Sequence, residues 1–560
     1  MPNRTLLIIN AFRGGNIGLA RGAWQAHFRR ARGHGRGGPV RKPEKQRKIV
    51  VAKPVDLCYT LKLERKAPMF KSIELGIKVS KEDYNKRLPK LRADLLAAQF
   101  ALKTSPVPVI VIVSGVEGAG KAAVVNALTE WLDPRGVETN VFWGATDEER
   151  ARPPYWRYWR TLPGRGKIGI FFGSWYTDPI IKRVTGQSKN SELDRELQRI
   201  AAFEKMLVQD NALIVKLWFH ISKKEQKKRL KKLEKDPQTR WRVTPMDWKF
   251  HKMYDEFAAV CERAIRFTDS GEAPWHLIDC SDSHHRNLEA GRILLEAIQQ
   301  RLAKLAAAPP RQRVVPQVPK TLEGPSVLDK VDVTKKLSDK EYKERLDKFQ
   351  ARLSQLTWEA HNKKISTVLV FEGWDAAGKG GAIRRVTSAI DAKLCRVVPI
   401  AAPTDEERAH HYLWRFWRHI PMAGRVTIFD RSWYGRLLVE RVEGFATPEE
   451  WMRSYLEIND FESQLAESGI VLLKFWVHIS PDEQLRRFKD RAQVDYKKHK
   501  ITDEDWRNRE KWNAYVLAIN DMVARTSTEY APWVIIPGND KKLARVEIVK
   551  TICKRLEAAL

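Results

Sequence analysis

The sequence predicts an α/β protein made of two tandem copies of one domain, and two observations support this prediction. First, the chain matches itself without a gap at a constant offset of 258 residues, from about residue 80 to residue 275. Second, short apolar runs alternate with longer helical patterns inside each copy. A register of this length marks a duplicated domain, and the alternation is typical of a mostly parallel sheet flanked by helices.

The duplication and the composition along the chain divide the protein into segments. A proline-rich stretch separates the two copies, which is typical of a linker. The predicted segments are a basic leader at 1–68, a first domain at 69–302, a linker at 303–335 and a second domain at 336–560.

Four near-continuous apolar runs in the second copy are strand candidates. Such runs are what a parallel sheet that is buried on both faces requires. The candidate strands are Thr367–Phe371, Arg396–Ile400, Val426–Phe429 and Val471–Val477.

Length and composition exclude several classes of protein. The 560 residues exceed one typical core, and the hydrophobic content of 43% is close to that of a globular chain. No apolar run reaches the ~18 residues of a membrane span, so no membrane partner is predicted. The five cysteines contain no CxxC pair, which argues against disulfides and structural zinc and favours the reducing cytoplasm.

The charge of the chain is strongly positive and unevenly distributed. The formal net charge of +32 indicates a polyanionic partner without naming it. Residues 1–68 carry 16 basic against 3 acidic residues, are rich in arginine and glycine, and are predicted to be disordered. Three explanations of this leader stay open: an organellar transit peptide, a nucleic-acid-binding arm, or an upstream extension outside the working protein.

A phosphate loop follows the first candidate strand of the second copy. Gly373-Trp-Asp-Ala-Ala-Gly378-Lys379-Gly380 has the G-x-x-x-x-G-K pattern, in which glycines expose backbone N–H groups and the lysine reaches the terminal phosphates. Gly380 stands where an ordinary NTPase has the Ser or Thr that holds Mg²⁺. Another magnesium ligand is therefore required.

Two carboxylates are the candidates for that metal site. Asp375 lies inside the loop, and Asp430 ends the strand candidate Val426–Phe429. Two carboxylates beside phosphates can hold Mg²⁺. The alternative for Asp430, a strand-end cap or an ion-pair partner, has less weight next to a phosphate loop.

Basic side chains near these motifs are candidates for binding phosphate. Arg491 lies in a basic segment before Trp506 that is either a solvated helix face or a mobile lid supplying a transition-state arginine. Arg431 directly follows Asp430. The further phosphate-binding candidates are Gly373, Gly378, Gly380, Arg384, Arg385, Arg436 and Lys498.

The first copy lacks the residues that the chemistry requires. Its loop contains Glu117 in place of the aspartate, Phe172-Gly173 replaces the Asp-Arg pair, and Leu233 replaces the lid arginine. Phenylalanine cannot bind a metal and leucine cannot neutralise a phosphate. We therefore predict that the first copy is catalytically inactive and acts as a structural or substrate-docking partner.

At these motifs the sequence resembles the type-2 polyphosphate kinase family. The segments 373–381 and 429–434 are similar to its two motifs, and the tandem arrangement resembles the two-domain branch, the polyphosphate:AMP phosphotransferases. The resemblance implies a P-loop kinase core with a helical lid, Mg²⁺, and transfer of a phosphoryl group from polyphosphate to AMP. It implies the catalytic set Asp375, Lys379, Asp430, Arg431 and Arg491.

Several alternatives remain at this point. The stretches 404–408 and 414–418 form either the nucleotide side of the site or a structural element, because both recur in the inactive copy. A P-loop kinase or NTPase acting on nucleic acid would explain the charge, although Gly380 and the lack of a recognisable binding module count against it. A phosphate-binding scaffold is the non-enzymatic alternative. Homo-oligomerisation is left open.

Overall fold

The structure, a computed structural model, describes residues 69–308, 324–493 and 503–560. The predicted leader at 1–68, most of the proline-rich linker and the stretch containing Lys498 lie outside these residues. Within the described ranges, no helix is both long and apolar enough to cross a bilayer.

The first repeat contains five strands and ten helices among the described residues. Its strands are β1 (Val109–Gly115), β2 (Val137–Val141), β3 (Ile168–Phe172), β4 (Leu213–His220) and β5 (Trp275–Asp279). Its helices are α1 (Lys81–Lys103), α2 (Lys121–Trp131), α3 (Asp147–Arg150), α4 (Trp156–Arg160), α5 (Thr177–Val184), α6 (Asn190–Gln209), α7 (Lys223–Lys235), α8 (Pro245–Lys252), α9 (Tyr254–Thr268) and α10 (Ser283–Ala306).

The second repeat has the same element order as the first. Its strands are β6 (Thr367–Gly373), β7 (Cys395–Pro399), β8 (Val426–Asp430), β9 (Val471–His478) and β10 (Trp533–Pro537). Its helices are α11 (Asp339–Asn362), α12 (Lys379–Thr387), α13 (Asp405–Arg408), α14 (Trp414–Trp417), α15 (Val439–Val442), α16 (Pro448–Glu467), α17 (Pro481–Ala492), α18 (Asp503–Glu510), α19 (Trp512–Thr526) and α20 (Lys541–Glu557).

Each repeat forms one five-stranded parallel sheet. The strand orders are β2-β3-β1-β4-β5 and β7-β8-β6-β9-β10, and helices flank the sheets. The predicted α/β fold class and tandem organisation are confirmed. Every strand of the second repeat starts 258 residues after its counterpart. The four predicted strands agree with the observed ones to within two residues at each end; β10, which ends in a proline, was not predicted.

The strand order of each sheet locates a crevice. The central strand β6 is an apolar run with all residues from Thr367 to Glu372 buried, as expected for a strand covered on both faces. The chain leaves the end of β6 towards β7 on one side and later adds β9 on the other side. In open parallel sheets, ligands bind at the carboxyl ends of strands where the order reverses. The crevice therefore lies at the ends of β6 and β8.

A buried ion pair joins three elements in each repeat. In the second repeat, Lys474 on β9 donates to Glu462 on α16 at 2.7 Å. The other Glu462 oxygen accepts from Trp433 Nε1 at 3.0 Å and Tyr434 Oη at 2.7 Å. Burial opposes both charges: it raises the pKa of Glu462 and lowers that of Lys474. The pair persists because hydrogen bonds satisfy both groups.

The first repeat contains the same buried network. Lys216 donates to Glu204 at 2.8 Å, and Glu204 accepts from Trp175 and Tyr176 at 3.0 and 2.7 Å. The network is thus independent of the carboxylates and arginines that distinguish the two copies.

The repeats contact each other through equivalent residues. Trp159 on α4 stacks on Trp417 on α14 with ring centroids 5.8 Å apart and planes 16° apart. These two positions differ by the repeat offset, so the contact has the self-complementary character of a two-fold interface. Arg199 of the first repeat adds an ion pair with Glu467 of the second at 2.6 Å.

This interface bears on the two interpretations of the stretches 404–408 and 414–418, as part of the nucleotide site or as a structural element. Trp417 is 1% exposed and packs between the repeats. Arg415 and Arg418 pair with Glu407 and Glu406 of α13 at 3.4 and 3.0 Å. The arrangement supports the structural alternative for 404–408 and 414–418.

The buried pair generates a stability prediction. Replacing Lys474 by methionine leaves the Glu462 carboxylate buried without its cation, so we expect the free energy of unfolding to fall by about 3–5 kcal/mol. Urea denaturation followed by tryptophan fluorescence measures this change. The double variant K474M/E462Q removes the uncompensated charge and is expected to recover part of the loss.

The control for this measurement is an exposed ion pair. Lys90 pairs with Asp94 at 2.8 Å while 81% of its side chain is exposed, and K90A is expected to change stability by less than about 0.5 kcal/mol. A K474M effect as small as that of K90A would contradict the structural role of the pair.

Candidate active site

The phosphate loop of the second repeat connects β6 to α12. Gly378 caps α12 with a positive φ of 108°, and Lys379 is the first residue of the helix. At Gly373, whose φ is 147°, a Cβ would lie 2.5 Å from the Val477 carbonyl oxygen, so only glycine fits. The N–H groups of the loop and of the first turn of α12 form the anion-binding end of the helix.

The loop lysine is held by the loop itself. Lys379 Nζ donates to the carbonyl oxygens of Gly373 and Trp374 at 2.6 and 3.2 Å. Burial lowers the pKa of Lys379, and the charge of Asp375 acts in the opposite direction. The ammonium is therefore positioned at the loop, where phosphate oxygens could replace the carbonyls as acceptors.

Arg487, in the basic segment that the sequence leaves open between a solvated helix face and a mobile lid, anchors the loop. It is 2% exposed, and its guanidinium donates to the carbonyl oxygens of Ala376 and Ala377 at 3.0 and 2.8 Å. Arg229 in the first repeat binds the corresponding loop through Gly118 at 3.1 Å. Arg487 is thus a structural residue, and its presence in both copies was the signal that sequence analysis could have used.

Asp375 is held from two sides. Its Oδ1 accepts from Arg431 Nη2 at 3.3 Å, and its Oδ2 accepts from Asn508 Nδ2 at 2.9 Å. Asn508 lies on α18 and in turn accepts from Tyr515 Oη at 3.1 Å. Sequence reasoning missed Asn508; the change from Asn508 to Phe250 between the copies is the signal that points to it.

Asp430 and Arg431 stand at the end of β8, next to the loop. The Asp430 carboxylate accepts no hydrogen bond from the described residues. Arg431 has a φ of 66°, in the left-handed region that non-glycine residues rarely adopt. The corresponding residue of the first repeat is Gly173, with a φ of 77°. The second repeat therefore keeps a side chain where the backbone favours glycine.

These groups surround one cavity of about 470 Å³. Cations and carboxylates both face it, and Arg384 and Arg491 form no ion pair with the residues that the structure describes. The charged lining residues are Asp375, Lys379, Arg384, Asp430, Arg431, Arg491, Glu504 and Asp505.

The structure therefore brings the five predicted catalytic residues to one cavity, together with Gly378, Gly380 and Arg384. Gly373, Arg385 and Arg436 are not among the residues that line it. Arg436 instead pairs with Glu440 at 3.0 Å and lies 4.4 Å from the ring centre of Tyr412, which is a structural arrangement. Lys498 lies outside the described residues.

The carboxylates of the cavity are compatible with a magnesium ion. Within the described ranges, no group of three or more His, Cys, Asp or Glu residues forms a complete metal cage. Mg²⁺ does not require one, because it is usually bound by one or two carboxylates together with water and substrate phosphates. Asp430, with no hydrogen-bond partner among the described residues, and Asp375 fit this role.

The corresponding place in the first repeat is apolar. Lys121 Nζ pairs with Glu117 at 3.0 Å and also donates to two loop carbonyls. Phe172 replaces Asp430, and a cavity of about 190 Å³ remains at the ends of β1 and β3. The phosphate loop thus persists, but the described residues that line this cavity include no unpaired cation and no pair of carboxylates.

The support of the loop generates a pH prediction. Trp374 Nε1 donates to His478 Nδ1 at 3.1 Å, and burial lowers the pKa of His478 to about 4. Histidine in the unfolded chain titrates near 6.5, so the unfolded state binds more protons between pH 4 and 6.5. The contribution of His478 to stability is complete above pH 6.5 and is lost as the pH falls towards 4.

The variant H478N keeps a hydrogen-bond acceptor but does not titrate. Between pH 4.5 and 6, the free energy of unfolding of H478N is expected to fall less steeply with decreasing pH than that of the parent chain. The difference between the two slopes is expected to be about 1.4 kcal/mol per pH unit. Denaturant titrations at several pH values measure both slopes, and equal slopes would show that His478 is not the titrating group.

Comparison with known proteins identifies the family to which both repeats belong. The family profile described as "Polyphosphate kinase 2 (PPK2)" matches residues 78–306 and 336–560, once in each repeat. A solved structure described as a putative polyphosphate kinase 2 from Pseudomonas aeruginosa superposes with a TM-score of 0.78 at 48% identity. The match covers 88% of this chain and 99% of that one.

Curated relatives match over most of their length. A protein from Pseudomonas aeruginosa named polyphosphate:AMP phosphotransferase is 51% identical over 88% of this chain and 99% of its own length. One of the same name from Acinetobacter johnsonii is 38% identical over 84% of this chain and 96% of its own length. The chain belongs to the polyphosphate kinase 2 family.

Proposed function

We propose that the second repeat transfers a terminal phosphoryl group from inorganic polyphosphate to AMP in a Mg²⁺-dependent reaction that forms ADP. The observation that carries this proposal is the charged cavity at the ends of β6 and β8. Of its five proposed catalytic residues, the first repeat keeps only the loop lysine, as Lys121, and replaces the other four. The names of the full-length relatives support the choice of donor and acceptor.

The charges of the cavity suit a polyanionic donor. Four cations line it: Lys379, Arg384, Arg431 and Arg491. Arg384 and Arg491 have no ion-pair partner among the described residues, so a chain of phosphates can take them without first breaking a salt bridge. In the first repeat these two positions are Asn126 and Leu233.

The loop positions the phosphate that is transferred. Its N–H groups and the positive end of α12 bind phosphate oxygens, and Lys379 exchanges its carbonyl partners for them. The terminal P–O–P bond breaks, a P–O bond forms to a phosphate oxygen of AMP, and the shortened polyphosphate leaves. The attacking oxygen is already anionic, so no proton has to be removed and positioning dominates.

Arg431 and Arg491 stabilise the negative charge that spreads over the transferred group. Both guanidinium groups line the cavity, one from the end of β8 and one from α17. Fixed cations in a site that excludes water stabilise the transition state more than they would in bulk solvent. The hydrogen bond between Arg431 and Asp375 orients the arginine before substrate arrives.

The two aspartates would hold the magnesium ion. Asp375 and Asp430 supply the hard oxygen ligands that Mg²⁺ prefers. When bound, Mg²⁺ supplies positive charge that offsets the charge on the donor and acceptor phosphates.

AMP as acceptor, rather than ADP, follows the full-length relatives. Shorter relatives that match over about 40% of this chain are named ADP- or GDP-polyphosphate phosphotransferases. A rate comparison between AMP and ADP as acceptors tests this choice. Cytoplasmic localisation and homo-oligomerisation stay predictions.

A matched pair of variants tests which repeat is active. K379M removes the loop ammonium of the second repeat and is expected to lower ADP formation from polyphosphate and AMP by at least about 100-fold. K121M makes the same change in the first repeat and is expected to leave the rate within about twofold. D430N is expected to match K379M, because its neutral amide binds Mg²⁺ more weakly than a charged carboxylate does.

These rates are measured with purified full-length chain, Mg²⁺, AMP and polyphosphate. Activity that survives D430N, or that is lost equally in K121M and K379M, would contradict a single active site in the second repeat.

Asn508 is predicted to act by positioning Asp375. N508A is expected to raise the Mg²⁺ concentration needed for half-maximal rate by about tenfold, since partners of metal ligands typically contribute 10–100-fold in metal affinity. E510A changes an exposed residue on the same helix and serves as the control. If N508A lowers the rate without shifting the Mg²⁺ dependence, Asn508 does not act through Asp375.

A further inference from the structure

The first repeat contains a cavity that the proposed phosphoryl transfer does not use. It lies at the ends of β1 and β3 and has a volume of about 190 Å³. Seven aromatic residues line it: Phe142, Trp143, Phe172, Tyr176, Phe250, Tyr254 and Phe257.

A comparison of the two repeats explains how the cavity arises. In the second repeat, Trp374 stacks on Trp512 with ring centroids 3.6 Å apart and planes 7° apart. The corresponding residues of the first repeat are Val116 and Tyr254. The indole that would fill this space is therefore absent, and Tyr254 is held in place because its hydroxyl donates to the Ile221 carbonyl oxygen at 2.7 Å.

The remaining changes add rings around the space instead of closing it. Phe250 replaces Asn508, Phe172 replaces Asp430, and Trp143 replaces Ala401. Trp143 is 70% exposed and stands edge-on to Phe172 with ring centroids 6.0 Å apart. An unfilled apolar cavity lowers stability in proportion to its volume, and an exposed indole at its mouth adds unburied apolar surface. A bound ring would offset both costs.

Among the described residues that line the cavity, Lys121 is the only basic one. It pairs with Glu117 at 3.0 Å and donates to two loop carbonyl oxygens, so the lining offers a polyanion no unpaired cation. The Tyr176 hydroxyl is bonded to Glu204, and the Gln226 amide is bonded to the Glu117 carbonyl oxygen. Apolar contact with the rings is therefore the main source of binding, and the half-exposed Glu117 carboxylate and the Ser114 hydroxyl are acceptors in the lining.

We propose that this cavity binds the uncharged ring of a purine nucleoside. The ring would stack on Trp143, beside Phe172 and Phe250, because bases and aromatic side chains stack with little dependence on sequence. An exocyclic amino group of the base would donate to Glu117. The site is separate from the phosphoryl-transfer site, so its test does not depend on the proposed reaction.

Adenosine, which carries no phosphate, is the probe, and the full-length chain is the receptor. In calorimetric titrations we expect W143A to weaken the binding event in the first repeat by about tenfold, the loss typical of one base–aromatic stack. V116W restores the ring that the second repeat has at Trp374 and is expected to abolish this event. W241A removes an indole of similar exposure, 72%, outside the cavity and is expected to change nothing.

Two further probes separate the alternatives. Tripolyphosphate is expected not to displace adenosine from the first repeat. Indole is expected to bind more weakly than adenosine, because it lacks the exocyclic amino group that would donate to Glu117. Adenosine binding that is insensitive to both W143A and V116W would overturn the proposal. So would displacement by tripolyphosphate, or indole binding without adenosine binding. Because W143A changes an exposed residue, the test stands even if V116W fails to fold.

Discussion

The buried lysine–glutamate pair is the interaction on which the rest of each repeat depends. Lys474 joins β9 to α16 through Glu462, and Glu462 holds the two aromatic side chains that directly follow Arg431 and Ser432. The segment that carries Asp430 and Arg431 is thereby fixed relative to the central strand. A charge this deep is tolerated only because its hydrogen bonds are satisfied. Its retention in the first repeat, which has Phe172-Gly173 in place of the Asp-Arg pair, indicates that the architecture needs it independently of that pair.

Backbone strain marks the chemical difference between the copies. Ala376 and Arg431 adopt positive φ values of 60° and 66°, whereas the first repeat has Gly118 and Gly173 at these positions. A side chain in this conformation costs on the order of 1 kcal/mol or more. At Arg431 the cost brings a guanidinium to the charged cavity. The first repeat has glycine at this position, and glycine adopts the same φ without that cost.

The fold could largely be predicted from sequence because its signals are local or periodic. The repeat register and the apolar runs located four strands of the second copy, and the spacing of the phosphate loop identified Lys379 and Asp375. The contact of Asn508 with Asp375 and the anchoring role of Arg487 could not be predicted from local or periodic signals. Their partners lie more than 100 residues away in the chain, and only packing brings them together.

Charge alone was also an ambiguous guide to the site. Arg436 was predicted to bind phosphate because it follows the Asp-Arg motif closely. In the structure it pairs with Glu440 and lies over the ring of Tyr412. A guanidinium serves equally well in an ion pair, over an aromatic face and on a phosphate, so proximity in sequence does not distinguish these roles.

The stacked Trp159 and Trp417 have a consequence for how the two halves could diverge. If two separate identical chains met through such a surface, both would have to keep every functional residue, because one gene would encode both chains. In a single polypeptide each half meets its partner in a fixed one-to-one ratio, at the high effective concentration that a covalent connection provides. Selection on the shared surface is then decoupled from selection on the crevice. One half can lose its catalytic groups, and even acquire a different cavity, without weakening its contact with the half that keeps them.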